Sequence, residues 1–187
     1  SKDEVLELIR NNKKVVASIA PSFVSSFKVK DFSIMKIALC KLGFFDAEET
    51  SIGANVVVQE YEKLLKSGKY KNFITSCCPA INRMIQIYYP NVLPYWAPVD
   101  TPAVVHAKMI KEADNEAKVV FIGPCIAKKM EGKESEVIDG VLTFEELLEL
   151  FNENNIDLSM ISDVSVDDDK KVTNRAKYFP ISRGIIK

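Results

Sequence analysis

Three of the four cysteines in this 187-residue chain fall in two short segments. These are Thr75-Ser76-Cys77-Cys78-Pro79 and Gly123-Pro124-Cys125-Ile126-Ala127-Lys128-Lys129-Met130-Glu131. A thiolate is both a nucleophile and a soft metal ligand, so the chain concentrates that chemistry in two places. Each segment follows a short apolar run, Asn72-Phe73-Ile74 or Lys118 to Ile122, that reads as a strand. The thiols are therefore expected at the carboxyl ends of two strands, the edge of an open α/β sheet where ligands bind. Pro79 suits the first turn of a helix, and the positive end of that helix is expected to favour thiolate at Cys77 and Cys78. Adjacent side chains in extended or turn geometry diverge, so the two thiols should do different jobs. Lys128 lies three residues after Cys125 and returns to the same face if a helical turn follows. Its ammonium would stabilise an anionic ligand or a thiolate there, and Glu131, three residues further, would hold it in place.

Other reactive residues read more plainly. Thiol catalysis normally needs a histidine, and the chain has one, His106. It sits beside Val104 and Val105 in a helical pattern and reads as a structural histidine. Cys40 follows Ile37-Ala38-Leu39 and reads as core. Asp167-Asp168-Asp169 lacks the spacing and glycine of a calcium loop and reads as a solvated charge run. Cys77, Cys78 and Cys125 offer at most three metal ligands, whereas an iron–sulfur cluster usually takes four. Adjacent cysteines that merely pack remain an alternative reading.

The elements that must position these residues alternate between helix and strand. Ser1-x-x-Glu4 forms a capping box ahead of Val5, Leu6, Leu8 and Ile9. Val15 to Ala20 reads as a buried strand stopped by Pro21. Ser33 is expected to cap a helix through Leu42, and Asn55 a helix from Val56 to Lys66 that Gly68 closes. After the first cysteine segment a helix runs through Ile81, Met84, Ile85 and Tyr88. Pro90, Pro94 and Pro98 make 90–100 an irregular connector. Thr101-Pro102 opens a helix to about Ala113, and Thr143-x-x-Glu146 opens another ending near Asn152. Ile156 to Ile161 reads as a last strand and 163–177 as loop. The alternation predicts an α/β fold with a mostly parallel, doubly wound sheet and flanking helices. Residues 1–187 read as a single α/β unit, or as two small lobes split near 90–100. The apolar run from Ile181 to Lys187 begins an element that stops short, so the expectation is a fragment.

Composition narrows the function classes. Net charge is −1 and hydrophobic residues make up 47%, so there is no basic excess to hold nucleic acid or an anionic membrane. No apolar run reaches the roughly 20 residues of a membrane span, and the N-terminus is a polar helix start. Four cysteines are too few for a secreted disulfide scaffold, which favours free or metal-bound thiols in a reducing cytoplasm.

Taken together, the two cysteine segments resemble the motifs of iron-only (FeFe) hydrogenases, in the C-terminal domain of the large subunit. Thr75-Ser76-Cys77-Cys78-Pro79 is similar to the family's first motif, TSCCPxW, and Pro124 to Glu131 to its second, PCxxKxxE. The resemblance covers roughly Val15 to Lys187. It implies an H-cluster, a 4Fe–4S cubane joined to a diiron site carrying CO and cyanide. By resemblance Cys77 is the proton-relay thiol and Cys78 and Cys125 ligate the cubane. Lys128 hydrogen-bonds a cyanide, Glu131 supports it, and Thr75, Ser76 and Pro124 line the cofactor. The implied electron partner is a ferredoxin or ferredoxin-like domain, with fused sensor domains as a further expectation.

The chain also departs from the family pattern. The third motif, with the last two cysteines, is absent, Ile81 replaces the usual tryptophan, and Gly123 stands where methionine is common. The helix expected to carry a relay carboxylate reads Val56-Val57-Val58, with Glu60 and Glu62 nearby. The expectation is a divergent or sensory-type oxidoreductase domain that interconverts protons and dihydrogen or senses dihydrogen. The fragment itself is expected to be inactive and metal-free. The rival readings are a non-enzymatic iron–sulfur scaffold or redox sensor, including the related cytosolic iron–sulfur assembly proteins, and a plain α/β interaction module.

Overall fold

The computed structural model describes residues 1–29 and 31–161. In chain order it contains α1 (Lys2–Asn11), β1 (Val15–Ile19), α2 (Phe23–Phe27), α3 (Phe32–Leu42), β2 (Asp46–Glu49) and α4 (Ser51–Lys66). Then come α5 (Pro79–Tyr88), a 3-10 turn Pro90–Tyr95, α6 (Pro102–Ala113), β3 (Lys118–Gly123), α7 (Ala127–Glu134), β4 (Gly140–Thr143) and α8 (Phe144–Glu153). The predicted capping box forms at Ser1 with Glu4, and the helix that Thr143-x-x-Glu146 opens is capped in the same way. Asp31 rather than Ser33 caps α3, its carboxylate accepting from the Ser33 N–H at 3.0 Å. α4 begins at Ser51, four residues before the expected cap at Asn55.

The strands form one parallel sheet in the order β2-β1-β3-β4. Strict alternation along the two central strands explains the double winding. Val15, Ala17 and Ile19 of β1 and Val120 and Ile122 of β3 face one side. There they meet Val5 of α1, Met35 and Leu39 of α3, and Leu147, Leu150 and Phe151 of α8. Val16, Val119 and Phe121 face the other side, against Ala103, Ala107 and Ile110 of α6. Burial on both faces is what a parallel sheet requires.

Three expectations are corrected. Asn72-Phe73-Ile74 is not a strand of the sheet. Ile74 makes only an isolated parallel bridge with Trp96, because the intervening α5 and proline-rich turn fold the chain back on itself. Ile156 to Ile161 is not a strand either; it holds a 3-10 turn, Leu158–Met160, with Asp157 accepting from the Ser159 N–H. Cys40 is exposed, since α3 buries Met35, Ala38, Leu39 and Leu42 and the position after Leu39 turns about 100° away from that face. The predicted charge run at 163–177 and the apolar run from Ile181 lie outside the described residues.

At the amino end of β3 Asp139 gathers Lys111 at 2.8 Å, Lys118 at 3.2 Å and the Val119 N–H at 2.8 Å. Burial pushes this carboxyl up, but those three donors outweigh it and hold it below the usual range. A depressed carboxylate contributes stability that is present above its unfolded value, near pH 4, and is lost as pH falls through its lower folded value. Asp139→Asn is therefore expected to flatten the acid limb of a stability-versus-pH curve below about pH 4. An unchanged acid limb would contradict this.

Candidate functional site

A crevice of about 480 Å³ opens at the carboxyl edge of the sheet, where β1 and β3 lie side by side and the chain winds outward in both directions. This is the topological switch point at which open α/β sheets bind ligands. Ala20, Pro21 and Ser22 reach it from the end of β1, Thr50 and Ser51 from β2, and Pro124 and Cys125 from β3. Cys77 and Cys78 close it from the segment ahead of α5, and Pro102, Ala103, Phe121 and Lys128 complete the wall. The structure thus gathers Cys77, Cys78, Cys125, Pro124 and Lys128 at one cavity.

The first cysteine segment is held from behind rather than by the sheet. Tyr61 of α4, buried against Ala97 and Val57, accepts the Ser76 N–H at 2.9 Å, and the Ser76 hydroxyl donates to the Val99 carbonyl. Asn82 of α5 donates to the Ser76 carbonyl at 2.8 Å. Ile74 exchanges backbone hydrogen bonds with Tyr95 and Ala97 at 2.7 and 2.9 Å. Ser76 is therefore buried structure, while Thr75 turns its hydroxyl toward Cys77, with Sγ and Oγ1 4.0 Å apart.

Cys78 is the N-cap residue of α5 and Pro79 its first residue, as the sequence indicates. The expected depression of the Cys77 pKa does not occur. Burial pushes the thiol up, aided by the neighbouring Cys78, and outweighs the contact with Thr75 and the field of Lys128.

Lys128 is only 9% exposed. Its ammonium donates to Glu131 Oε2 at 2.5 Å and to Thr101 Oγ1 at 3.1 Å, and lies 5.5 Å from the centre of the Phe121 ring. The turn that returns Lys128 to the crevice is made by Cys125, whose carbonyl accepts the Lys128 N–H at 3.1 Å. Glu131 faces away from the crevice and lines a neighbouring cavity of about 430 Å³. Its carboxylate anchors the lysine from behind, leaving the cation at the wall.

Two upstream expectations separate. On α4 the crevice is lined by Ser51 and Ala54, whereas Val57 packs into the Tyr61 cluster. Glu60 instead pairs with Lys63 at 2.6 Å, and neither it nor Glu62 lines the crevice. His106 is fully buried outside the crevice, with both ring nitrogens in hydrogen bonds. The site residues not singled out beforehand include Ala20, Pro21, Thr50, Ser51, Thr101 and Pro102. Each follows a strand or opens a helix, which is the signal that marks the same sheet edge.

Comparison with known proteins gives consistent matches. Residues 13–187 match the family described as iron only hydrogenase large subunit, C-terminal domain. The chain is 30% identical over 174 residues to the periplasmic [Fe] hydrogenase large subunit of Nitratidesulfovibrio vulgaris, covering 81% of this chain and 41% of that protein. It is 21% identical over 188 residues to the cytosolic Fe-S cluster assembly factor NAR1 of Yarrowia lipolytica, covering 89% of this chain and 38% of that one. The chain thus spans less than half the length of these two relatives. A cysteine-to-histidine variant of the apo [FeFe]-hydrogenase HydA1 from Chlamydomonas reinhardtii shares the fold, with a TM-score of 0.73 at 21% identity, covering 88% of this chain and 51% of that one.

Proposed function

Since the chain belongs to the family of the C-terminal domain of the iron-only hydrogenase large subunit, we propose that it is the cysteine-bearing part of an iron–sulfur oxidoreductase that interconverts protons and dihydrogen, or senses dihydrogen. The observation that carries this reading is the convergence of Cys77, Cys78, Cys125 and the buried Lys128 on one crevice. The donor chemistry fits an iron–sulfur group in kind, because soft thiols and a cation for an anionic ligand share the wall. It is incomplete in number. Among the described residues no three His, Cys, Asp or Glu side chains stand close enough to share a metal ion. Further ligands are part of the proposal.

In this reading Cys78 and Cys125 would hold the iron–sulfur group, which would supply the electron chemistry of the reaction. The chain's own residues do the rest. Cys77, kept protonated by burial, holds a proton at Sγ on the crevice wall. Lys128 compensates an anionic ligand, and Glu131 and Thr101 fix its ammonium so that little reorganisation is needed. Phe121, Pro102, Ala103 and Pro124 make much of the lining apolar. A ferredoxin-like electron partner belongs to the same proposal.

A second reading, a non-enzymatic scaffold or sensor, is favoured by one specific feature: α4 presents Ser51 and Ala54 to the crevice and no carboxylate. The likeness to the NAR1 assembly factor over 89% of the chain supports it as well. The experiment is anaerobic iron and sulfide loading of the whole protein carrying Cys78→Ser, Cys125→Ser or, as a control, Cys40→Ser. Iron content should fall at least tenfold in the first two and stay unchanged in the control. Full iron retention in Cys78→Ser and Cys125→Ser would remove the proposal. Cys77→Ala then separates the readings. The enzyme loses dihydrogen turnover with its iron retained, whereas the scaffold changes in no assay.

A further inference from the structure

A continuous file of side-chain hydrogen bonds runs through the protein beside the crevice. Thr50 lines the crevice wall, and its Oγ1 lies 2.8 Å from Ser18 Oγ. Ser18 Oγ lies 2.8 Å from His106 Nδ1, and His106 Nε2 lies 3.1 Å from Glu48 Oε2. Ser18 and His106 are fully buried and Thr50 nearly so. At the far end, His106 and Glu48 line a separate cavity of about 340 Å³, whose wall also carries Lys14, Asp46 and Asp114. The rest of that wall is largely apolar, with Lys14 and Asp114 paired at 2.8 Å on it. The file therefore joins the cysteine crevice to a second cavity that has charged side chains at its rim. Every member carries or accepts an exchangeable proton, and no apolar residue interrupts it.

We propose that Thr50, Ser18, His106 and Glu48 form a proton relay between the cysteine crevice and that second cavity. The proposal rests on the dihydrogen reading of the crevice for its purpose, but not for its test. The transfer balances without any electron movement. A proton entering at Thr50 Oγ1 from the crevice displaces the threonine hydroxyl proton to Ser18 Oγ. The Ser18 proton passes to His106 Nδ1, and the Nε2 proton passes to Glu48 Oε2. Each hydroxyl ends with one proton, the imidazole ends neutral in its other tautomer, and Glu48 carries the net proton. The reverse stroke takes a proton inward and restores the first tautomer. Ser18 makes this possible because its single hydroxyl has two acceptors, Thr50 on one side and His106 on the other. A hydrogen-bonded staple between β1 and α6 would need only the second.

Because His106 is the sole histidine, its imidazole nitrogens are read without ambiguity by ¹⁵N NMR of the histidine-labelled, iron-free chain. A relay populates both tautomers in exchange, so the two nitrogens should show intermediate shifts. Thr50→Val removes the acceptor on the crevice side, and the shifts should move to one tautomer, with protonated Nε2. Thr50→Ser should restore the intermediate values. Should Thr50→Val fail to fold, Glu48→Gln serves instead; it accepts a hydrogen bond but no proton, and it should likewise freeze a single tautomer. One locked tautomer, identical in the wild type and these variants, would overturn the relay. In the iron-loaded whole protein, Thr50→Val and Glu48→Gln should lower dihydrogen turnover at least tenfold at unchanged iron content. Unchanged turnover there would also overturn it. A protein that takes up no iron would defeat the dihydrogen reading alone, since the NMR result stands apart from it.

Discussion

Lys128→Ala is expected to lower the stability of the chain by about 3 kcal/mol, because it strands the partner of a buried ion pair. Both side chains are only 11% exposed, so the Glu131 carboxylate would keep its desolvation cost and lose its cation. Surface pairs such as Glu60 with Lys63 should contribute under about 1 kcal/mol by comparison. A double-mutant cycle with Glu131→Gln checks the assignment. The double variant should recover part of the loss, since an amide carries no charge to leave unpaired. Denaturant unfolding is the measurement, and a loss below about 0.5 kcal/mol would mean that water reaches the pair. The same substitution removes the cation at the crevice wall, so anion binding there should fail even where folding is rescued by the second change.

The second large effect concerns Gly53, at the crossing of α4 with α6. A Cβ added there would sit 2.5 Å from the Pro102 carbonyl oxygen and 2.7 Å from His106 Cβ. Both contacts are with the facing helix, and one is backbone, so the helices must separate. Gly53→Ala is expected to cost about 2 kcal/mol through overpacking, and to lower Tm by about 6 °C in a chain of this size. Gly68→Ala is the control. Its φ is 67° but nothing lies within 4 Å of the added carbon, so it carries only the left-handed backbone penalty, about 1 kcal/mol. If both substitutions cost the same, close helix approach is not what selects glycine at 53. Because α4 and α6 supply Ser51, Ala54, Pro102 and Ala103 to the crevice wall, Gly53→Ala should also widen the site.

Much of this arrangement is legible in the residues, and the exceptions have local causes. The double winding follows from the alternation of helices and apolar strands. The position of Cys125 follows from the rule that βα connections share one sheet edge, whereas the first cysteine segment reaches that edge without following a strand of the sheet. β2 is hard to see because Asp46-Ala47-Glu48-Glu49 is acidic, and only Ala47 is buried. That strand is held through its pairing with β1 and through Glu48, which reaches His106. The run ahead of Cys77 resembles a strand because its composition is apolar. It forms one bridge only, since its support comes from Tyr61, fifteen positions before Ser76 in the chain, a contact that no periodicity encodes. The Cys77 pKa is raised rather than lowered because desolvation of the enclosed thiol outweighs the contact with Thr75 and the field of Lys128. Cys40 is exposed although its neighbours are apolar, because α3 still buries only one face.

The central pairing of the sheet also has a kinetic meaning. Ile19 of β1 lies in register with Ile122 of β3, so the segment between them must be looped out and ordered before the two strands meet. Parallel pairings across such long separations form late, after the local helices. The crevice draws its wall from both sides of that pairing, Ala20 to Ser22 after β1 and Pro124 and Cys125 after β3, so it is complete only once the two strands have met.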